Sequence, residues 1–217
     1  MRIHLAVITA AFLAAPRPLA AQTDVRALVS RLDSAVPALL REAHAPGAAV
    51  AVVEGGRIVL ERGYGAANVA SGAPLTARTT LNVASVSKPV AAWGILRLAR
   101  EGRMPLDTPI NSIVRRWRLP DSASPASGVT VRPLLSHTGG VGIPSVPWFL
   151  ADSAAPSLED VLDGRAGGRG PLRVEAAPGA GWRYSGGGYT LLELAAEETS
   201  GEGFDAYMRE RVLRPLG

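Results

Sequence analysis

The 217-residue chain contains no cysteine, so neither a disulfide framework nor a thiolate catalytic or metal site is available to it. Aromatic residues are only 5% of the sequence, and the arginines are scattered in pairs such as Arg115-Arg116. A nucleic-acid binder needs clustered positive charge interleaved with aromatic platforms, so the formal net charge of +4 carries no such footprint. Long apolar runs are missing too. A membrane-spanning helix needs roughly 20 apolar residues, and the longest run, near the N-terminus, is shorter than that. The scarcest ionisable residue is lysine: of the 23 Lys and Arg residues, only Lys88 is a lysine. A guanidinium stays protonated at any workable pH, whereas burial or nearby positive charge can make an amine give up its proton. Lys88 therefore stands either where a proton has to leave, or by chance in a composition that favours arginine. Composition alone does not separate the two.

At the N-terminus, Arg2 precedes an apolar run from Leu5 to Ala15, and small residues end in Leu19-Ala20-Ala21 before the first acidic residue, Asp24. This is the pattern of a secretory signal peptide, with cleavage expected after Ala21 and a periplasmic or secreted mature protein. The remaining 22–217 suit one domain, or one domain with an insertion, and can bury a sizeable core.

The apolar positions Val25, Leu28, Val29, Leu32, Val36, Leu39 and Leu40 recur at helical spacing and predict a first helix over 25–44, packed on a sheet. Residues 47–63 then read as a hairpin, two β-branched runs around Glu54-Gly55-Gly56. Ser71 to Pro74 reads as a loop. From Ser85 to about Arg100 so many positions are apolar that a buried helix is expected. Pro89 is tolerated only in a first turn, so that helix must begin near Ser85 or Val86. Residues 104–178, rich in Pro, Gly and Ser, predict a loop-rich, mostly helical insertion with a short helix at Ser157 to Leu162. The glycines at 164–170 lack the Lys-Ser/Thr ending of a phosphate loop and read as a flexible loop. Two helices close the chain, Tyr189 to Ser200 and Phe204 to Leu213, broken by Gly201 and Gly203.

Acyl transfer needs a hydroxyl nucleophile, a group to take its proton, and donors for the oxyanion. Ser85 and Lys88, three residues apart, share a helix face, so the amine can reach back to the Ser85 oxygen. The helix N-terminus offers free N–H groups to an oxyanion. Tyr184, in Tyr184-Ser185-Gly186, is a phenol that a cationic lysine would favour as its anion, able to relay a proton to a leaving group. Read on its own, it is more readily a structural tyrosine in a glycine turn before a helix.

Four segments then occur in order: Ala84-Ser85-Val86-Ser87-Lys88-Pro89, Gly102-Arg103-Met104-Pro105-Leu106-Asp107, Leu134-Leu135-Ser136-His137-Thr138-Gly139-Gly140, and Pro178-Gly179 with Trp182 and Tyr184-Ser185-Gly186-Gly187-Gly188-Tyr189. Together they resemble the class C β-lactamases and their esterase and D,D-peptidase relatives among the penicillin-binding proteins, from about Val25 onward. The resemblance implies an α+β, β-lactamase/transpeptidase-like fold, an antiparallel sheet flanked by helices with a mostly helical insertion. It implies Ser85 as the acylated nucleophile, Lys88 as base or proton shuttle, Tyr184 as the catalytic tyrosine, and the Ser85 N–H as half of the oxyanion hole. No metal or organic cofactor is implied; the expected partner is a small-molecule or peptidoglycan-like substrate. Gly186 stands where the family's second motif commonly ends in Asn, a variant more like the esterase and peptidase relatives than the lactamases. The family's third motif, on a later strand, is expected to lie past residue 217, which would leave the 47–63 hairpin with an unpaired edge. The alternative from another class is a non-catalytic fragment or binding module of the same fold.

The remaining polar and aromatic residues read more plainly. His137 is expected to serve a structural turn, His44 a surface position, Glu197-Glu198 a solvated helix face, and Trp93 and Trp117 packing.

Overall fold

The computed structural model describes residues 24–143, 154–166 and 170–217. The expected leader at 1–21 lies outside them, as do 167–169 of the glycine-rich stretch. The chain forms two compact units, one running to Asn82 and the other from Val83 to Gly217.

In the first unit, helix α1 (Val25–Glu42) starts where the Asp24 carboxylate accepts the N–H groups of Arg26 and Ala27, satisfying two of the donors a helix start leaves orphaned. Strands β1 (Gly47–Glu54) and β2 (Arg57–Asn68) form the expected antiparallel hairpin. Its two-residue turn, Gly55-Gly56, has φ of +56° and +77°, the doubly positive geometry that suits the twist of paired strands and that side chains resist. The Ser71 to Pro74 stretch is not all loop. Ala73–Pro74 forms a short strand, β3, against the end of β2, giving the order β1-β2-β3, with proline tolerated because it sits at an edge. Among the described residues β1 has β2 as its strand partner. Helix α1 packs on β2, where Asp33 accepts hydrogen bonds from Arg62 and from the Tyr64 hydroxyl, each at 3.0 Å.

The second unit is built around helix α6 (Gly186–Ser200). Helices α2 (Ser87–Arg100), α4 (Val131–Leu135) and α5 (Leu158–Leu162) pack around it, and α3 (Ile110–Ile113) touches it too. The sequence of α6 explains its place: Gly186, Gly187 and Gly188 allow close approach at one end, and Leu191, Leu192, Leu194, Ala195 and Ala196 are buried along its length. A Cβ on Gly187 would stand 2.7 Å from Leu172 Cδ1 and 2.9 Å from Ile143 Cβ. The expected helix start at Tyr189 is thereby corrected to Gly186. The 104–178 stretch contributes Met104, Ile110, Leu119, Leu134, Leu162 and Leu172 to this core.

Four expectations change here. Helix α2 buries only Gly94, Ile95 and Leu98, and Val86, Trp93 and Leu96 are exposed, because among the described residues it packs on one side, against α6 and the Met208–Leu213 segment. Trp93, 54% exposed, is accordingly not a packing residue here, whereas Trp117 lies against the core and donates its indole N–H to Asp163. Glu197 and Glu198 are not merely solvated. Glu198 accepts the backbone N–H groups of Arg115 and Arg116 at 2.8 and 3.0 Å, and Glu197 pairs with the Arg116 guanidinium and accepts the Phe204 N–H. They tie the chain after α3 and the start of helix α7 (Phe204–Tyr207) to α6. Past α7 the chain continues as a π-helical turn, Met208–Leu213, so the expected Phe204 to Leu213 helix is present but changes its winding.

Candidate active site

Ser85 lies in a single 3₁₀ turn, Ala84–Val86, that runs directly into α2 at Ser87, so the sequence expectation of a helix opening at Ser85 or Val86 holds. Pro89 then occupies the first turn of α2, where its missing N–H breaks no intrahelical bond. Ala84 has φ of +46°, a left-handed conformation uncommon for a residue with a side chain. Strain of this kind persists where the surroundings impose it, and it delivers Ser85 to an exposed position.

All three sequence-predicted residues meet at this point. The Lys88 amine donates to the Ser85 Oγ at 3.2 Å, as their spacing on one helix face requires. The Tyr184 hydroxyl, 99 positions away in sequence, donates to the same oxygen at 2.5 Å. The Lys88 Nζ lies 5.0 Å from the centroid of the Tyr184 ring and 5.7 Å from that of Tyr189, within cation–π range of both. Burial pushes the Tyr184 phenol up, but hydrogen bonding to Lys88 and Ser85 and the Lys88 charge outweigh it and hold the phenol below the usual tyrosine value.

Tyr184 is placed by the start of α6. The next residue, Ser185, caps that helix: its Oγ accepts the Gly188 N–H at 2.9 Å and donates to the Gly142 carbonyl at 2.5 Å, and its side chain is buried. The Gly187 N–H bonds the Ile143 carbonyl, so the helix start is fastened on a second side.

Sequence reasoning missed the aromatic shell around these groups. Tyr189 donates its hydroxyl to the Leu135 carbonyl at 3.0 Å. His137, expected in a structural turn, does occupy one, with φ of +59°, but its ring also stacks 4.6 Å from Tyr184 and 5.2 Å from Tyr189. Burial, and then the Lys88 charge, hold its imidazole below the usual histidine value. The available signal was the adjacency of His137 to the Thr138-Gly139-Gly140 turn, which marks a specified backbone but not what the ring faces.

Beside Lys88 opens a cavity of about 590 Å³ walled largely by Val86, Val90, Tyr189, Phe204 and Met208, with Glu193 facing it. Burial, and then Glu197, push the Glu193 carboxyl up to about 7. No group of three or more His, Cys, Asp or Glu able to hold a metal occurs among the described residues.

This arrangement pairs a hydroxyl with a neighbouring amine and a phenol of lowered proton affinity, which is the equipment for moving a proton off Ser85 as it attacks an acyl carbon. Residues 32–217 match the family described as Beta-lactamase. Esterase EstB of Burkholderia gladioli is 33% identical over 213 residues, spanning 92% of this chain and 53% of EstB. The structure of the octameric penicillin-binding protein homologue from Pyrococcus abyssi aligns with a TM-score of 0.67 at 30% identity, covering 87% of this chain and 43% of that one. D-amino acid amidase from Ochrobactrum anthropi SV3 aligns with a TM-score of 0.67 at 26% identity, covering 86% of this chain and 50% of the amidase. The chain thus spans about half the length of these relatives. On the match over residues 32–217 and on these alignments, the chain belongs to the Beta-lactamase family and has its β-lactamase/transpeptidase-like fold.

Proposed function

We propose that this chain belongs to an exported serine hydrolase that works through an acyl-Ser85 intermediate on an ester or a D-amino-acid amide, with β-lactams as poorer substrates. The observation that carries the reading is the convergence of Tyr184 and Lys88 on one oxygen, at 2.5 and 3.2 Å. In acylation, Ser85 Oγ forms a bond to the substrate carbonyl carbon while its proton passes to the Tyr184–Lys88 pair. The negative charge that develops on the carbonyl oxygen is met by the Ser85 N–H. As the tetrahedral intermediate collapses, the bond to the leaving alcohol or amine breaks and the pair returns the proton to it. Water then attacks the acyl carbon by the same route in reverse and frees Ser85.

The substrate preference rests on relatives and on one residue. The similar proteins include an esterase and a D-amino acid amidase. Gly186, in place of the family's common Asn, leaves Lys88 without the amide partner that lactamases use. Export rests on the leader-like residues 1–21; N-terminal sequencing of the protein recovered from a bacterial host should find a mature chain beginning at Gln22. Among the described residues no helix is long and apolar enough to cross a membrane.

Labelling with a fluorescent fluorophosphonate, followed by mass spectrometry, tests the nucleophile. The adduct is expected on Ser85 and should vanish in Ser85→Ala; equal labelling of that variant would refute the assignment. A fluorescent penicillin run alongside is expected to react more slowly than a short-chain p-nitrophenyl ester.

A further inference from the structure

Each of the four residues leading into α6 touches His137. The Trp182 ring meets its ring edge-on at a centroid distance of 6.0 Å, and the Arg183 N–H bonds the His137 carbonyl at 2.8 Å. The Tyr184 ring packs on the imidazole at a centroid distance of 4.6 Å, tilted by 38°, and the Ser185 N–H donates to its Nδ1 at 3.2 Å. The backbone on either side is pinned as well, His137 N–H to the Leu134 carbonyl and Gly179 N–H to the Thr138 carbonyl. A left-handed conformation is strained at a non-glycine residue, and these contacts hold His137 there at φ of +59°.

We propose that His137 is the positioning residue of the site: neutral, with its proton on Nε2, it fixes residues 182–185 and thereby sets the Tyr184 oxygen against Ser85, and protonation releases them. An Nδ1 that accepts the Ser185 N–H cannot carry a proton. Protonating it would face donor against donor and would place a second cation beside Lys88, whose Nζ already lies 5.0 and 5.7 Å from the same two tyrosine rings. Among the described residues, the ionisable groups facing the imidazole are Lys88 from α2, Tyr184 from the lead-in segment and Tyr189 from α6; the Arg183 guanidinium is paired with Glu175. Burial and Lys88 both disfavour the imidazolium, so the neutral form persists through neutral pH.

The inference rests on the hydrolase reading only for its kinetic consequence, and the test separates the two. In the ¹⁵N-labelled full chain, long-range ¹H–¹⁵N correlations, with His137 identified by its absence in His137→Asn, should find the Nε2–H tautomer. Its midpoint should fall below the free-histidine value of about 6.5, with the Ser185 amide and Tyr184 ring signals moving at the same midpoint. An Nδ1–H tautomer, a midpoint at or above the free value, or a Ser185 amide indifferent to the titration would overturn the proposal. The rate of fluorophosphonate labelling of Ser85 should fall on the acid side with that midpoint. In His137→Asn, which keeps an acceptor near Nδ1 but does not titrate, the acid limb should disappear while the rate at pH 8 falls by no more than about threefold. In His137→Phe, which keeps the stack but not the acceptor, the rate should fall about tenfold or more at every pH. An unchanged acid limb in His137→Asn sinks the proposal. Should the wild-type chain take no label at all, the hydrolase reading fails and the titration alone decides the role of His137.

Discussion

Tyr184 and Lys88 donate to the same serine oxygen but were legible in the sequence to different degrees. Lys88 sits one helical turn from Ser85, so spacing alone implied their contact; Tyr184 could be placed there only through a resemblance. Both can be tested by removing one atom or one freedom. Tyr184→Phe deletes the hydroxyl at 2.5 Å while leaving the Ser85–Lys88 bond, and ester hydrolysis should fall by about 10²–10⁴ with the fold intact by circular dichroism. Lys88→Arg keeps the charge but cannot yield its proton, and a comparable loss of turnover is expected in the same assay. Glu193 carries a prediction about stability. Its carboxyl is raised from 4.5 to about 7, so the fold favours the protonated form. That contribution is complete below about 4.5 and is lost as pH rises through about 7. Thermal melts of Glu193→Gln should therefore match wild type near pH 5 and exceed it at pH 8 by on the order of 1–3 kcal/mol; a gap that does not widen with pH would discount the buried carboxyl.

The first turn of α6 is the element that turns a flexible-looking glycine run into a rigid mount for Tyr184. A helix start at Tyr189 leaves its three glycines outside the helix, in keeping with a glycine cost in helix interiors of roughly 1 kcal/mol relative to alanine. Close packing overrides that preference, because at Gly187 no side chain fits between Leu172 and Ile143. Gly187→Ala should cost about 1–3 kcal/mol in denaturant unfolding, and, because the displaced turn carries Tyr184, it should also slow Ser85 labelling. Ser185→Ala removes the cap and the bond to the Gly142 carbonyl, with an expected loss of about 1–2 kcal/mol. The hairpin turn at Gly55-Gly56 shows the opposite case, an element read correctly because two adjacent glycines with positive φ are a purely local instruction.

Across the whole molecule, apolar burial is distributed unevenly. The second unit encloses a continuous core from Ile95 to Val212, whereas among the described residues of the first only Tyr64 and Leu75 are buried and α1 buries no residue. Opening free energies follow buried apolar contact, so amide exchange should be slowest in 190–196 and fast throughout 25–68; equal protection of the two would contradict this distribution. The sequence by itself determined the features that depend on neighbours a few residues apart. These are the helix opening at Ser85, which Pro89 confines to a narrow range, the Ser85–Lys88 contact, the hairpin, and the helix break at Gly201. Only the tertiary structure decided which face of α2 is buried, that Glu197 and Glu198 bind backbone N–H groups, that the glycine turn is helical, and that His137 lies beneath Tyr184. Local spacing fixes which side chains share a face, whereas partners brought together over 48 or 99 residues depend on the packing of the entire core, and periodicity carries no record of that.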